Sequence, residues 1–98
     1  MRLINHQLFI MKSKFNIALL GGRGYVGQEI IGILNDHPNF ILSKAFSRSA
    51  AGDAIKEYTK ISGLKYSYLD KPSKITLSDI DIVILALPNN QSHEYVKK

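Results

Sequence analysis

The chain of 98 residues contains no cysteine, which excludes a disulfide framework and any metal site built on thiolates. It also lacks the polarizable thiol that many enzymes use as a covalent nucleophile. Three histidines are present, and the sequence places none of them to activate a nucleophile. We therefore predict neither a catalytic residue nor a metal site in this chain.

Long apolar runs are also missing, and none approaches the roughly 20 residues that a helix needs to cross a bilayer. Near the amino terminus, the apolar stretch Leu8–Met11 is too short for the core of a secretion signal. We treat residues 1–14 as an N-terminal extension, with either Met1 or Met11 as the start, and residues 15–98 as one incomplete domain. We predict no membrane contact and a cytoplasmic location.

Positive charge exceeds negative charge, with 13 Lys and Arg against 8 Asp and Glu and a formal net charge of +5. The lysines are scattered along the chain and form no stripe interleaved with aromatic residues. Such a stripe would be the usual mark of a nucleic-acid-binding surface. We predict solvated surface lysines and no nucleic-acid partner.

Glycine is concentrated at one place, between an apolar segment and a helical pattern. The apolar segment, residues 15–20, is typical of a central parallel strand covered on both faces. A glycine turn between a strand and a helix lets backbone amides approach a diphosphate, which the positive end of the helix also attracts. An ordinary strand-to-helix turn would not need three glycines in register with the helix. We therefore predict that a nucleotide diphosphate binds at Gly21, Gly22, Arg23, Gly24, Tyr25, Val26 and Gly27.

Apolar residues recur at helical spacing after the glycines and predict an amphipathic helix. Gly32 lies inside this helix, where glycine costs about 1 kcal/mol relative to alanine. We expect close packing of the helix on the sheet to compensate for that cost. The helix should end at His37, because the residue before Pro38 is disfavoured in helical conformation. The expected apolar stripe consists of Val26, Ile30, Ile33 and Leu34, widened by Ile31.

Three further segments are predicted to be strands: residues 40–46, 64–69 and 81–87. Residues 47–62 have the composition of a loop, and Ser92 is a suitable N-cap for a last helix. This order of elements is typical of the first half of a doubly wound sheet. We predict an α/β fold, a partial doubly wound (Rossmann) parallel sheet with strand order 3-2-1-4. The later strands and a catalytic domain are missing from it.

The end of the second strand distinguishes NAD from NADP. In NAD-binding folds, a carboxylate about 20 residues beyond the glycines holds the ribose 2′-hydroxyl. Here that position holds Ser47, followed by Arg48 and Ser49, and the first carboxylate after the strand is Asp53. A guanidinium and two hydroxyls suit a 2′-phosphate, because arginine presents a rigid fork of donors. We predict NADP(H) as the cofactor; the alternative for Arg48 is a solvated surface arginine.

Four short motifs, taken in order, resemble a known enzyme family. The pattern is similar to that of N-acetyl-gamma-glutamyl-phosphate reductase, the NADP-dependent enzyme of arginine biosynthesis, which is related to aspartate-semialdehyde dehydrogenase. The similarity extends from Phe15 to about Ser92, which is only the first part of the family's length. The motifs are Gly21-x-x-Gly24-Tyr25-x-Gly27, Asp36-His37-Pro38, Ser47-Arg48-x-x-Ala51-Gly52 and Leu85-Ala86-Leu87-Pro88-Asn89.

The resemblance implies roles for individual residues. Ser47 and Arg48 would hold the 2′-phosphate, and Leu87 and Pro88 would border the nicotinamide. The diphosphate would contact Gly21, Gly24, Tyr25, Val26 and Gly27. Two departures from the family pattern stand out: Gly22 replaces a small non-glycine residue and should loosen the loop, and Asn90-Gln91 replaces a glycine after the fourth strand.

In the family, a cysteine attacks the acyl phosphate, and hydride from NADPH reduces the resulting thioester to the semialdehyde. Because this chain has no cysteine, the resemblance implies an N-terminal cofactor-binding part that is inactive alone. The expected partners are NADPH and either the remainder of the enzyme as a separate chain or a second copy in a homo-oligomer. The alternatives are a small non-catalytic NADP(H)-binding module and the N-terminal part of an aspartate-semialdehyde dehydrogenase.

Overall fold

The computed structural model describes residues 14–87 and Tyr95. Four parallel strands form one sheet in the order β3-β2-β1-β4, which confirms the predicted α/β fold and strand order. The predictions for the extension up to residue 13, for Pro88 and for the helix after Ser92 concern residues outside the described ones. Only Tyr95 of that last segment is described. The elements are β1 (Phe15–Leu20), α1 (Tyr25–Asp36), β2 (Phe40–Ser47), β3 (Ser67–Tyr68), a 3₁₀ turn (Pro72–Lys74) and β4 (Ile82–Leu85).

Strand β1 is the centre of the core, and its side chains are buried on both faces of the sheet. Ile17 and Leu19 pack on the face that α1 covers, whereas Ala18 and Leu20 pack on the opposite face with Phe46. Burial of an aliphatic side chain of this size contributes about 1.5–3 kcal/mol. The continuous apolar sequence of β1 therefore matches its place between two neighbouring strands and under two covered faces.

Helix α1 contacts the sheet along a different line from the one predicted. Its buried residues are Gly27, Ile31 and Leu34, whereas Val26 and Ile33 are 58% and 63% exposed. The prediction that these two residues belong to the buried stripe is wrong. Gly27 has no side chain and lies against the backbone of the glycine turn, so α1 comes closest to that turn at Gly27. That contact turns Val26 and Ile33 toward solvent.

The expectation for Gly32 is wrong as well. This residue is exposed, and a Cβ atom built on it would have no neighbour within 4 Å. No close packing compensates for glycine at this position. The predicted helix end is confirmed, because α1 ends at Asp36, directly before His37 and Pro38.

The two outer strands are shorter than predicted. Residues 64–66 pair with the loop that precedes them: the Ile55 amide donates to the Leu64 carbonyl, and the Tyr66 amide donates to the Asp53 carbonyl. Only Ser67–Tyr68 is left to pair with β2. At the other edge, Ile82 and Val83 are 38% and 42% exposed, and no described strand pairs with the outer side of β4.

The connection between β2 and β3 contains turns and no helix, as its composition predicted. Its buried side chains Ala50, Ile55 and Tyr58 join the core on the α1 side of the sheet. The Leu42 amide in β2 donates to the Tyr58 hydroxyl at 2.9 Å, and this hydrogen bond is buried. Tyr58 therefore fastens the connection to the centre of the sheet.

Replacing Tyr58 with phenylalanine is expected to lower the free energy of unfolding by about 1–3 kcal/mol, because the buried Leu42 amide loses its acceptor. Urea unfolding followed by circular dichroism measures the change. The matched control is Tyr68→Phe, which removes an exposed hydroxyl and should alter stability by less than about 0.5 kcal/mol. Equal effects of the two substitutions would contradict the structural role of the Tyr58 hydroxyl.

Candidate functional site

The carboxyl ends of β1, β2 and β4 meet at one edge of the sheet and enclose a cleft of about 400 Å³. The cleft lies at the edge where doubly wound sheets bind their ligands, outside the carboxyl ends of the strands. Three segments contribute most of its wall: the glycine turn, the end of β2 and the end of β4. The described lining residues are Gly21, Arg23, Gly24, Ser47, Arg48, Ser49, Leu69, Ala86 and Leu87.

The glycine turn is fastened to β2 by its first two amides. Both the Gly21 amide and the Gly22 amide donate to the Phe46 carbonyl, at 2.8 and 3.1 Å. These two donors therefore serve the sheet. Gly21 has φ +90°, and a Cβ atom there would lie 2.7 Å from the Ala86 carbonyl oxygen, so the turn requires glycine at this position.

Gly22 is buried and closely packed, so the expectation that it loosens the loop is wrong. A Cβ atom on Gly22 would lie 3.1 Å from Cε1 of Tyr66 and 3.2 Å from Cδ2 of Leu19. The Tyr66 hydroxyl donates to the Gly22 carbonyl at 3.3 Å. Because Gly22 has no side chain, the turn can pack directly against Tyr66 and Leu19 of the core.

The amino terminus of α1 lies beside the cleft. Gly24 is the N-cap residue and has no side-chain cap, and the first helical hydrogen bond runs from the Gln28 amide to the Gly24 carbonyl at 2.9 Å. The amides of Tyr25, Val26 and Gly27 precede that bond and have no acceptor within the helix. With the positive end of the helix dipole, these amides are suited to an anion.

The end of β2 turns outward through a hydrogen bond of Ser47. The buried Ser47 hydroxyl accepts a hydrogen bond from the Ala50 amide at 3.1 Å and lies 3.5 Å from the Ser49 hydroxyl. This bond closes a tight turn in which Arg48 and Ser49 are exposed and line the cleft. Ser47 thus stabilises the turn, and the next two residues, Arg48 and Ser49, form the surface of the cleft.

The charge around the cleft is positive. Arg23 and Arg48 line it, and the described lining residues include no carboxylate. Asp53 lies instead in a neighbouring cleft of about 330 Å³, which Glu57, Lys56 and also Arg23 line. The first acid after β2 is therefore not among the described residues that line the 400 Å³ cleft.

The structure brings six of the predicted site residues together in the cleft and leaves four others outside its lining. Those that line it are Gly21, Arg23, Gly24, Ser47, Arg48 and Leu87; those that do not are Gly22, Tyr25, Val26 and Gly27. Three residues received no role from the sequence: Leu69 and Ala86, which line the cleft, and Tyr66, which contacts the glycine turn. All three lie in segments predicted as strands, whose apolar patterns do not indicate a ligand.

Comparison with known proteins gives one family and several relatives. The family described as semialdehyde dehydrogenase, NAD binding domain, matches residues 16–98. An N-acetyl-gamma-glutamyl-phosphate reductase from Xanthomonas axonopodis pv. citri is 35% identical over 82 residues, which cover 82% of this chain and 26% of the reductase. Protein arg11, mitochondrial, from Schizosaccharomyces pombe is 36% identical over 83 residues, which are 9% of that protein.

A solved structure shares the fold. The crystal structure of aspartate semialdehyde dehydrogenase with NADP from Candida albicans superposes with a TM-score of 0.68 at 21% identity, covering 87% of this chain and 26% of that enzyme. The chain thus spans about a quarter of the length of this enzyme and of the bacterial reductase. Within residues 14–87, no helix has the length and apolar character needed to cross a membrane.

Proposed function

The chain belongs to the semialdehyde dehydrogenase NAD-binding domain family, and we propose that it is the N-terminal cofactor-binding part of an NADP-dependent reductase. The proposed substrate of the whole enzyme is N-acetyl-glutamyl-5-phosphate, reduced to the 5-semialdehyde in arginine biosynthesis. Relatives that carry the reductase name at 32–35% identity support this choice. The likeness to aspartate semialdehyde dehydrogenase, at 21% identity, supports the fold alone.

The residues around the cleft suit NADPH. The diphosphate would be held by the amides at the start of α1, with Gly21 and Gly24 forming the adjacent wall. The 2′-phosphate would be held by Arg48 together with the Ser49 hydroxyl, on the turn that the buried Ser47 hydroxyl closes. The nicotinamide would border Leu87 and the following Pro88, and when bound it supplies a hydride for reduction.

The preference for NADP(H) over NAD(H) depends on the end of β2. Arginine can form paired, charge-assisted hydrogen bonds to a phosphate, and no carboxylate among the described lining residues is present to accept from a ribose hydroxyl. The proposal depends mainly on one observation: the glycine turn and the end of β2 line the same cleft, and the end of β2 contributes Arg48 and no carboxylate to it. We expect NADPH to bind more tightly than NADH.

Without a cysteine, the chain is proposed to bind cofactor and not to reduce an acyl phosphate by itself. Its exposed, apolar β4 edge supports the presence of a further strand, supplied by another part of the enzyme or by a second copy. The second candidate function, a non-catalytic NADP(H)-binding module, would need no such strand. Residues 1–14 remain a proposed extension, and the cytoplasm remains the proposed compartment.

A thermal-shift titration of the purified chain with NADPH and NADH tests the proposal. NADPH at about 100 times its dissociation constant should stabilise the fold by about 2.7 kcal/mol, and NADH at the same concentration should stabilise it less. The same samples, incubated with the acyl phosphate, should oxidise no NADPH. Stabilisation by neither nucleotide would refute cofactor binding, and a larger effect of NADH would refute the assignment of the 2′-phosphate site.

A further inference from the structure

Tyr66 lies directly beneath the glycine turn, although 44 positions separate it from Gly22 in the sequence. Its side chain is buried, with 5% of its surface exposed. The hydroxyl donates to the Gly22 carbonyl at 3.3 Å, and Cε1 of the ring would be 3.1 Å from a Cβ atom on Gly22. Tyr66 therefore contacts the turn through both its ring and its hydroxyl.

Tyr66 is itself held in place by two backbone hydrogen bonds. Its amide donates to the Asp53 carbonyl at 2.9 Å, and its carbonyl accepts from the Gly52 amide at 2.8 Å. Burial raises the pKa of the Tyr66 hydroxyl, and the Glu57 carboxylate raises it further, while Arg23 acts in the opposite direction. The hydroxyl therefore keeps its proton at neutral pH and acts as a donor to Gly22.

The hydrogen bond to Gly22 fixes the direction of the next amide in the chain. In a trans peptide, the carbonyl of one residue and the N–H of the following residue point in opposite directions. Because the Gly22 carbonyl is directed at buried Tyr66, the Arg23 amide is directed away from it. The preceding peptide is fixed as well, because the Gly22 amide donates to the Phe46 carbonyl. The two bonds therefore hold Gly22 from both of its peptides, although glycine could otherwise rotate freely.

We propose that Tyr66 is a positioning residue for the cofactor: it holds the Gly22–Arg23 peptide so that the Arg23 amide faces the cleft and donates to the diphosphate. This proposal rests on the proposed function, because it assigns a donor to the same nucleotide site. It adds the Arg23 amide, in the glycine turn, to the anion-binding amides at the start of α1. It also gives a role to a residue of the β2–β3 connection, which the sequence pattern alone left without one.

Calorimetric titration of the Tyr66→Phe chain with two ligands tests the proposal. NADPH carries a diphosphate, whereas adenosine 2′-monophosphate carries only the phosphate assigned to Arg48. We expect the substitution to weaken NADPH binding about five-fold, as for the loss of one neutral hydrogen bond, and to leave adenosine 2′-monophosphate binding unchanged. The matched control is Tyr58→Phe, which removes another buried hydroxyl, one that is bonded to the Leu42 amide of β2, and which should leave both affinities unchanged.

The outcomes separate this proposal from the one it rests on. If the unsubstituted chain binds neither ligand, the proposed function fails, and the role of Tyr66 fails with it. If the unsubstituted chain binds both, but Tyr66→Phe weakens both equally or weakens neither, the role of Tyr66 alone is refuted. If the Tyr66→Phe chain does not fold, NMR of the unsubstituted chain tests the proposal instead. Adding inorganic pyrophosphate should shift the amide resonance of Arg23 and not that of Gly22. An unmoved Arg23 resonance would overturn the proposal.

Discussion

Replacing Gly27 with alanine is expected to lower the free energy of unfolding by about 3 kcal/mol or more. A Cβ atom at this position would lie 2.6 Å from the Gly21 carbonyl oxygen and 2.7 Å from Cα and C of Gly22. These are backbone atoms of a turn that is bonded to β2, so they cannot move aside at low cost. The helix would have to shift away from the turn, and NADPH affinity should fall with stability.

Gly32→Ala in the same helix is the matched control for Gly27→Ala. A Cβ atom at Gly32 has no neighbour within 4 Å, and alanine has the higher helix propensity. This substitution should raise the free energy of unfolding by up to about 1 kcal/mol. Urea unfolding of the two variants measures both changes. Similar effects in the same direction would contradict the described contact between α1 and the glycine turn.

Replacing Arg48 with alanine is expected to weaken NADPH binding by about 1.5–3 kcal/mol, the range for a lost charge-assisted contact. Binding of NADH should change much less, because NADH lacks the 2′-phosphate. Parallel calorimetric titrations with both nucleotides give the two differences. A suitable control is Lys74→Ala, which removes an exposed positive charge on the 3₁₀ turn and does not line the cleft. Equal losses for NADPH and NADH in Arg48→Ala would refute the assigned contact.

The sequence was sufficient to predict the centre of this fold because the centre is specified locally. Residues 15–20 are apolar on both faces, and a glycine turn and a helix follow directly. Strand order followed from the sequence of elements and was confirmed. The outer strands were predicted too long, since their extent depends on which neighbours they pair with. Residues 64–66 pair with the loop before them, and no local pattern reports that choice.

The orientation of α1 was mispredicted for a similar reason. Hydrophobic spacing gave a stripe through Val26 and Ile33, but the contact of Gly27 with the turn sets the line along which the helix approaches the sheet. A residue without a side chain contributes nothing to a hydrophobic pattern, even where it makes the closest contact. The same limitation explains Gly32, whose exposure follows from that orientation.

The candidate site could be anticipated where its residues are close in sequence or at a fixed spacing from the glycines. The turn and the end of β2 satisfy this condition, and both line the same cleft. The function of the Ser47 hydroxyl in closing its own turn and the contact between Tyr66 and Gly22 could not be anticipated. Both are consequences of tertiary packing, which decides whether a polar group points to a ligand or to the backbone.

A crystal structure of the chain with NADPH would test the central claim most directly. We expect the diphosphate within hydrogen-bonding distance of the amides at the start of α1 and the 2′-phosphate beside Arg48. The nicotinamide should lie toward Leu87, at the end of β4. A cofactor bound elsewhere, or one in this cleft with its adenine ribose turned away from the end of β2, would contradict it.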